Sequence, residues 1–273
     1  MPSNASHLPP LPRHAAHPRR RFASLRTIFA LVLREMATTY GRSPGGYLWA
    51  VLEPVAGITL LTLVFSAGFR SPGLGVNFPL FYATGLVPFN LFSSISGRLA
   101  GSLQFSRPLL TYPAVSFLDA IIARFVVNMM TQILVAYLLF TSIMLMYDTR
   151  VDPDYWIVVE GFFYAGLMAM GVGTINCYLF TAYPVWQQIW AIVMRPMFIL
   201  SCIFFVFESV PEPFRSYLWY NPLVHIVGIV RRGFYSNYDA TYVSIPYLTL
   251  LPLILFALGL ILLRRYHRDL LDR

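Results

Sequence analysis

The chain has 273 residues, of which 57% are hydrophobic and only 12% are charged. Because soluble domains carry about 25% charged residues, this composition argues against a water-soluble enzyme. All 20 basic residues are arginine, and with 12 acidic residues they give a formal charge of +8. The absence of lysine excludes a G-x-x-x-x-G-K-[ST] phosphate loop and any Schiff-base lysine, so nucleotide hydrolysis would have to come from another polypeptide.

The first 40 residues predict a tail and a surface helix. Residues 1–23, rich in proline, histidine and arginine, are typical of a disordered cytoplasmic tail that is attracted to anionic headgroups. In residues 24–40 the apolar side chains fall on one stripe, with Arg26, Arg34 and Glu35 off it. The stripe consists of Leu25, Ile28, Phe29, Val32, Leu33, Met36 and Tyr40. This pattern predicts an amphipathic helix that lies along the membrane interface.

Six apolar stretches follow, each close to the roughly 20 residues that a membrane-spanning helix needs. They predict an all-α integral membrane protein whose transmembrane domain covers residues 24–265, with a short cytoplasmic tail at 266–273. The predicted spans are residues 47–69, 78–99, 120–146, 156–180, 189–207 and 242–263.

Arginine placement predicts the orientation. The N-terminal segment, the connection between spans two and three, and the C-terminus hold most of the arginines, whereas the opposite loops hold half of the acidic residues. By the positive-inside rule both termini are cytoplasmic. The inner connection at 104–115 contains two prolines and is predicted to be a compact docking loop. Prolines at 211, 213 and 222 are predicted to divide the outer segment 208–241 into two short helices that dip back at the interface.

Ionisable residues within the spans are informative, because charge at depth is costly. Glu53 and Arg124 are predicted to form a structural pair that ties two helices together. Arg195 repeats at helical spacing with Phe198, Cys202 and Phe205, which predicts one face turned toward a polar path. Cys177 and Cys202 both lie in apolar runs and are predicted to be structural thiols. No catalytic group or metal site is predicted, because the histidines have no partner at ligand spacing.

Several motifs together resemble the permease subunit of bacterial capsular-polysaccharide ABC exporters, over residues 25 to 265. The first and the last of these motifs are specific to that family and are not explained by hydropathy alone. They are Leu33-Arg34-Glu35, Tyr40-Gly41-Arg42, Gly46-Tyr47-Leu48-Trp49-Ala50-Val51-Leu52-Glu53-Pro54, Phe92-Ser93-Ser94-Ile95-Ser96, Ile121-Ile122-Ala123-Arg124, Ser201-Cys202-Ile203 and Tyr217-Leu218-Trp219-Tyr220-Asn221-Pro222-Leu223-Val224-His225.

The resemblance implies a subunit of the bacterial inner membrane that forms half of a transporter. A second copy and two copies of a cytoplasmic ABC ATPase would complete it, with ATP and magnesium bound by the ATPase and no cofactor in this chain. The implied cargo is a lipid-linked acidic polysaccharide, received by a periplasmic adaptor; no nucleic acid is involved. The first and fifth spans would face the path, and the ATPase would be contacted by Arg34, Glu35, Arg107, Pro108 and Tyr112.

A sugar chain has apolar ring faces and polar edges, so a conduit for it needs aromatic platforms and, for acidic polymers, arginines. For Trp219 and Tyr220 the alternative is the ordinary aromatic belt of a membrane interface. The predicted conduit residues are Trp49, Arg195, Phe198, Phe205, Tyr217, Trp219, Tyr220, Arg70, Arg231 and Arg232.

Alternatives remain open at this point. An exporter of O-antigen or teichoic acid would keep the fold and change the cargo. An ion-driven secondary transporter would need inverted repeats and carboxylates near the bilayer midplane, and neither is evident. A membrane-embedded transferase would need a histidine or paired carboxylates on one face, and these are missing.

Overall fold

The computed structural model describes residues 23–40, 46–68, 70–110 and 116–271, and the predicted basic tail therefore lies almost entirely outside the described residues. Within these ranges the chain forms ten α-helices and one short 3-10 turn, Phe207–Ser209, with no strand. The helices are α1 Ala23–Tyr40, α2 Gly46–Gly68, α3 Phe78–Ala100, α4 Ser102–Leu110, α5 Phe117–Met146, α6 Tyr155–Ala182, α7 Pro184–Ile199, α8 Phe214–Trp219, α9 Pro222–Phe234 and α10 Ile245–Leu271.

Five helices in the described residues, α2, α3, α5, α6 and α10, are long and apolar enough to cross a membrane. They correspond to predicted spans one to four and six, and α10 continues to Leu271, past the predicted end. Their ends carry local signals: Ser116 and Asp119 form a capping box at α5, and Asp154 caps α6.

The bounds predicted for the fifth span are wrong. The helix begins earlier, at Pro184, and ends at Ile199, giving 16 residues and about 24 Å of helix. Residues 200–206 leave the helical conformation, and Cys202 has a φ of 57°. The face predicted from Arg195, Phe198, Cys202 and Phe205 therefore does not exist, because the last two residues lie beyond the helix end.

The centre of the bundle is formed by α3 and α6, whose side chains are mostly buried, whereas α2 and α10 lie at its periphery. Glycines allow the close packing of α6 against its neighbours. A Cβ on Gly171 would lie 2.5 Å from the carbonyl oxygen of Pro252, and one on Gly259 would lie 2.8 Å from the backbone nitrogen of Ile175. Along the seam between α6 and α10, the backbone of one helix therefore lies directly against the backbone of the other.

The same contacts show that α6 and α10 run in the same direction. Gly171 meets Pro252, Ile175 meets Gly259, and the rings of Tyr178 and Tyr266 lie 5.8 Å apart, so the two sequences advance together. The chain leaves α6 at Ala182 and must return to the other end of the bundle to begin α10. The segment containing α7 makes this return.

Helix α1 has two different faces. Phe29, Leu33 and Met36, on or next to the predicted stripe, are exposed, while Glu35 is buried against α5. A helix is present where the interface helix was predicted; its position at a membrane surface stays a prediction. The predicted docking loop differs more, because residues 102–110 form α4 and residues 111–115 lie outside the described residues.

The segment after α7, which is predicted to be the outer segment, contains the two predicted short helices, α8 and α9, and Pro222 begins the second. Proline is favoured there because the first helical position needs no N–H donor. The side chain of Asn221 caps α9 by accepting from the backbone N–H of Leu223. Both cysteines are free and buried, as predicted for structural thiols.

Candidate functional site

The interruption of α7 leaves backbone carbonyls without helical partners, and side chains from elsewhere bind them. The hydroxyl of Ser201 donates to the carbonyl of Met197. The amide Nδ2 of Asn221 donates to the carbonyl of Leu200 at 2.9 Å. Since non-helical backbone at membrane depth is stable only where protein or water satisfies it, these bonds permit the break.

Arg231 completes this set of donors. Its guanidinium donates to the carbonyls of Phe205 at 2.8 Å and Ile203 at 3.1 Å, and it lies 4.4 Å from the ring centroid of Phe81. The side chain is only 1% exposed. The prediction that Arg231 contacts a polymer is therefore wrong: its planar fork of donors is used to hold the non-helical segment after α7.

Arg232, the next residue, points away from this segment and has a different environment. Its guanidinium lies 3.4 Å from the carboxylate of Glu160, and both side chains are about one third exposed. Arg70 is exposed near the same end of the bundle. Both remain predicted exit residues.

The aromatic residues of the outer segment fall into two groups. Tyr217 and Tyr220 are 72% and 69% exposed, so their ring faces are available to a ligand or to lipid. Trp219 is held instead, since its Nε1 donates to the carbonyl of Tyr242 at 3.0 Å and its ring stacks on Tyr247. Trp219 is thus part of the packed structure that positions the two exposed tyrosines.

His225 holds Trp219 and the segment around it in place, and its hydrogen bonds fix a single tautomer of its ring. Its Nδ1 accepts from the backbone N–H of Ser244 at 3.2 Å, so the proton is on Nε2, which donates to the carbonyl of Trp219 at 2.7 Å. Burial lowers the pKa of His225 below its usual value, and the bond to the Trp219 carbonyl opposes this shift. The ring is therefore neutral and structural.

The predicted conduit residues of spans one and five differ in exposure. Trp49 on α2 is 65% exposed, and Arg195 on α7 is exposed as well. Phe198 packs edge-on against Phe89 and Phe204 inside the subunit. Phe205, half-buried beyond the helix end, packs against a small apolar cluster.

Helix α7 has an unusual surface for a helix in a bundle. None of its residues is buried, and Gln187, Gln188 and Arg195 are exposed among apolar side chains. One side of it packs against the core through Trp190, Met194 and Phe198. Hydrogen bonds join it near its ends, from the indole Nε1 of Trp186 to Asn176 at 3.0 Å and around Leu200. The side that the subunit leaves uncovered is mostly apolar and carries these three polar side chains, which fits a wall of a conduit.

At the opposite end of the bundle, one buried cation joins four helices. The Nε of Arg124 on α5 lies 2.8 Å from Glu35 of α1, and the two side chains are 8% and 5% exposed. The Nη1 of Arg124 donates to the carbonyl of Arg98 at the end of α3, and the guanidinium lies 4.2 Å from the ring centroid of Phe105 on α4. Arg34 approaches the same ring at 5.1 Å.

This arrangement corrects the predicted pairing of Glu53 with Arg124. Arg124 does form a buried ion pair, but with Glu35, because α1 packs along α5, and Glu53 on α2 lies exposed in a separate polar cavity. Glu35 consequently faces inward. Of the other predicted ATPase contacts, Arg107 is exposed, while the side chain of Pro108 and all of Tyr112 lie outside the described part of the chain.

Comparison with known proteins gives a consistent result. The family model for the ABC-2 type transporter matches residues 26–235. The chain is 32% identical over 245 residues, which cover 90% of this chain and 95% of the relative, to the polysialic acid transport protein KpsM of Escherichia coli. It is 27% identical over 244 residues, 89% of this chain and 92% of the relative, to the capsule polysaccharide export inner-membrane protein BexB of Haemophilus influenzae. A shorter match, 35% over 86 residues, links 31% of this chain to 32% of the O-antigen export system permease protein RfbA of Myxococcus xanthus.

Proposed function

The chain belongs to the ABC-2 type transporter family, and we propose that it is the permease subunit of an ATP-driven exporter that moves lipid-linked capsular polysaccharide out of the cytoplasm. The similarity to relatives named for capsule polysaccharide export, over about nine tenths of this chain and of each relative, is the observation that carries the proposal. Family membership also sets aside the ion-driven transporter.

The permease has six crossings in this proposal, with both termini cytoplasmic. Because α6 and α10 run in the same direction, the intervening chain has to cross once between them. Helix α7 together with residues 200–206 forms that crossing, a short helix continued by a non-helical segment whose carbonyls are bound by Asn221 and Arg231. An even number of crossings returns the C-terminus to the side of the N-terminus.

Two copies form the conduit, with α2 and α7 of each facing the other. Both helices keep most of their surface uncovered within one subunit. Trp49 and Arg195 would then line the path, with Tyr217 and Tyr220 at its exit. An aromatic face binds a sugar ring weakly, and an exposed guanidinium attracts a carboxylate, so the polymer can be held without being trapped.

A separate ATP-binding subunit supplies the energy, because the chain has no lysine for a phosphate loop. Helices α1 and α4 are the proposed contact with that subunit. Arg124 links both to α3 and α5, so displacement of the contact helices would be transmitted to the spans.

The test is complementation and reconstitution. Deletion of the gene in its native host should abolish surface capsule and leave polymer in the cytoplasm, and the intact gene should restore export. Purification with the neighbouring ATPase should give a complex of two permeases and two ATPases whose ATP turnover rises when glycolipid is added. A permease that exports capsule without any ATPase would refute the proposal.

O-antigen export is a second candidate, favoured by the match to the RfbA permease. That match covers a third of each chain, whereas the capsule relatives match along nine tenths. Loss of O-antigen with retained capsule in the deletion strain would favour this second function.

A further inference from the structure

A polar cavity of about 280 Å³ lies between α2, α3 and α5, separate from the uncovered surface of α7. Seven of its ten lining residues are polar, an unusual proportion for a space between three apolar helices. They come from all three helices and include one acid, one arginine and several amides and hydroxyls, among them Glu53, Asn90, Ser94, Arg98 and Gln132; Trp49 lies at its edge.

The cavity extends from the cytoplasmic end of the bundle toward its middle. Arg98 lies in the last turn of α3, whereas Asn90 lies near the midpoint of that helix, about 12 Å deeper at 1.5 Å per residue. Gln132 lies near the midpoint of α5. The arginine of the cavity is therefore at the inner end, and the amides of Asn90 and Gln132 are at depth.

Most of the polar side chains of this cavity are not used by the fold; the exception among its amides is Asn128, whose Nδ2 donates to the carbonyl of Arg124. In the described part of the chain, the side chains of Glu53, Asn90, Arg98 and Gln132 form no hydrogen bond or ion pair with one another or with other residues. Unpaired polar groups at membrane depth cost several kcal/mol each unless water or a ligand binds them. Several such groups facing one space indicate a site that binds something polar.

The chemistry of the lining favours a carbohydrate carrying an anionic group. Amides, hydroxyls and the carboxylate of Glu53 can exchange hydrogen bonds with sugar hydroxyls, and the exposed indole of Trp49 provides a flat face for a sugar ring. Arg98, at the inner end, is suited to a phosphate or carboxylate. Glu53 would repel an anion, so the anionic group belongs beside Arg98.

We propose that this cavity is a loading site in the cytoplasmic half of the permease, where the phosphate and first sugars of a membrane-anchored glycan bind before entry into the conduit. The inference rests on the proposed export of a lipid-linked polysaccharide and adds where its anchored end binds. A volume of about 280 Å³ admits the first sugars and not a long chain, so the site recognises the end of the glycan that is next to the lipid anchor.

The experiment measures binding to the complete permease–ATPase complex in nanodiscs. The probes are glycolipid extracted from the native host, the same glycan after removal of its lipid anchor, and phosphatidylglycerol as a competing phosphate source. The double variant Asn90→Leu/Gln132→Leu removes the deep amides. The matched control, Thr59→Val/Ser142→Ala, removes two polar groups from α2 and α5, two of the three helices around the site, at positions that line a neighbouring apolar cavity.

The amide variant should raise the apparent Kd for glycolipid at least tenfold, and the control should leave it unchanged. Arg98→Gln should weaken glycolipid more than the anchor-free glycan. If the amide variant accumulates poorly, Ser94→Phe, which fills the cavity, should give the same loss. Unchanged affinity in all these variants, or phosphatidylglycerol binding as tightly as glycolipid, would overturn the inference.

Failure of the inference and failure of the proposed function give different results. If the wild-type complex neither binds glycolipid nor exports capsule, the export function itself is wrong. If the wild type exports and the cavity variants export equally well, only the loading site is wrong. Variants that separate the two permease copies would identify the cavity as a contact between copies, which also refutes a loading site.

Discussion

The ion pair between Glu35 and Arg124 supports a quantitative prediction. Replacing Glu35 with leucine leaves the Arg124 cation buried, with only the Arg98 carbonyl and the Phe105 ring as partners. Breaking a buried pair by removing one partner costs about 3–5 kcal/mol. No large discount for solvent screening applies, because both side chains are less than one tenth exposed.

A milder change should cost less. Glu35→Gln keeps an oxygen that can accept from the Arg124 Nε, and a neutral hydrogen bond is about half as strong as a charge-assisted one. We expect a loss of about 1–2 kcal/mol. The double variant Glu35→Leu/Arg124→Leu removes the orphaned charge, and the Arg98 carbonyl keeps a bond from Ser102, so stability should partly return.

Thermal unfolding of the purified permease in detergent gives the required double-mutant cycle. Glu35→Leu should lower Tm on the order of 10 °C, and the coupling energy between the two positions should exceed about 2 kcal/mol. Capsule export should not return in the double variant, since α1 has lost its link to α5. Equal stability of the leucine and glutamine variants, or additive losses in the double variant, would refute the buried pair.

Three further predictions use the same assays. Arg231→Met should lower stability by about 2–4 kcal/mol, because two carbonyls lose their donor, and Arg231→Lys should lose less. Gly171→Ala should cost about 1–3 kcal/mol through contact with the α10 backbone, whereas Gly97→Ala, with open space around it, should be neutral or slightly stabilising. Because burial depresses the pKa of His225, stability should fall as pH drops below about 6.5, and His225→Gln should reduce that slope.

Each of these has an outcome that contradicts it. Full stability of Arg231→Met would mean that the segment after α7 is held by other contacts. Equal behaviour of the two glycine variants would show that α6 and α10 are not in close backbone contact. An unchanged pH slope in the His225 variant would assign the titration to another group.

The five long spans could be predicted because an apolar run of some 20 residues is decided by its own composition. The end of α7 could not, since the sequence remains apolar from 189 to 207 and the groups that stabilise the break come from far along the chain. Asn221 and Arg231 are 21 and 26 residues from the carbonyls they bind. One local signal existed: Arg231 follows Val227 by one helical turn on the buried side of α9.

The Arg124 pairing failed for a similar reason. Both Glu35 and Glu53 are single acids near the end of the bundle that is predicted to be cytoplasmic, and only tertiary packing chooses between them. The predicted stripe of α1 left Glu35 on the polar side, but Phe29 and Leu33 of that stripe are exposed. Glu35 lies one turn after Leu31 and Val32, which are half-buried, and it is on the side of α1 that packs against α5.

The uncovered state of α7 has a consequence for how such permeases diversify. Its exposed positions contribute little to the folding free energy of the subunit, so substitutions there are mostly tolerated by the scaffold, unlike those at Phe198 and the other residues that pack against the core. The glycine seam and the buried arginines also resist change. In the proposed conduit, lineages can therefore remodel the exposed side of α7 to suit a new polymer while the remainder of the protein stays nearly constant.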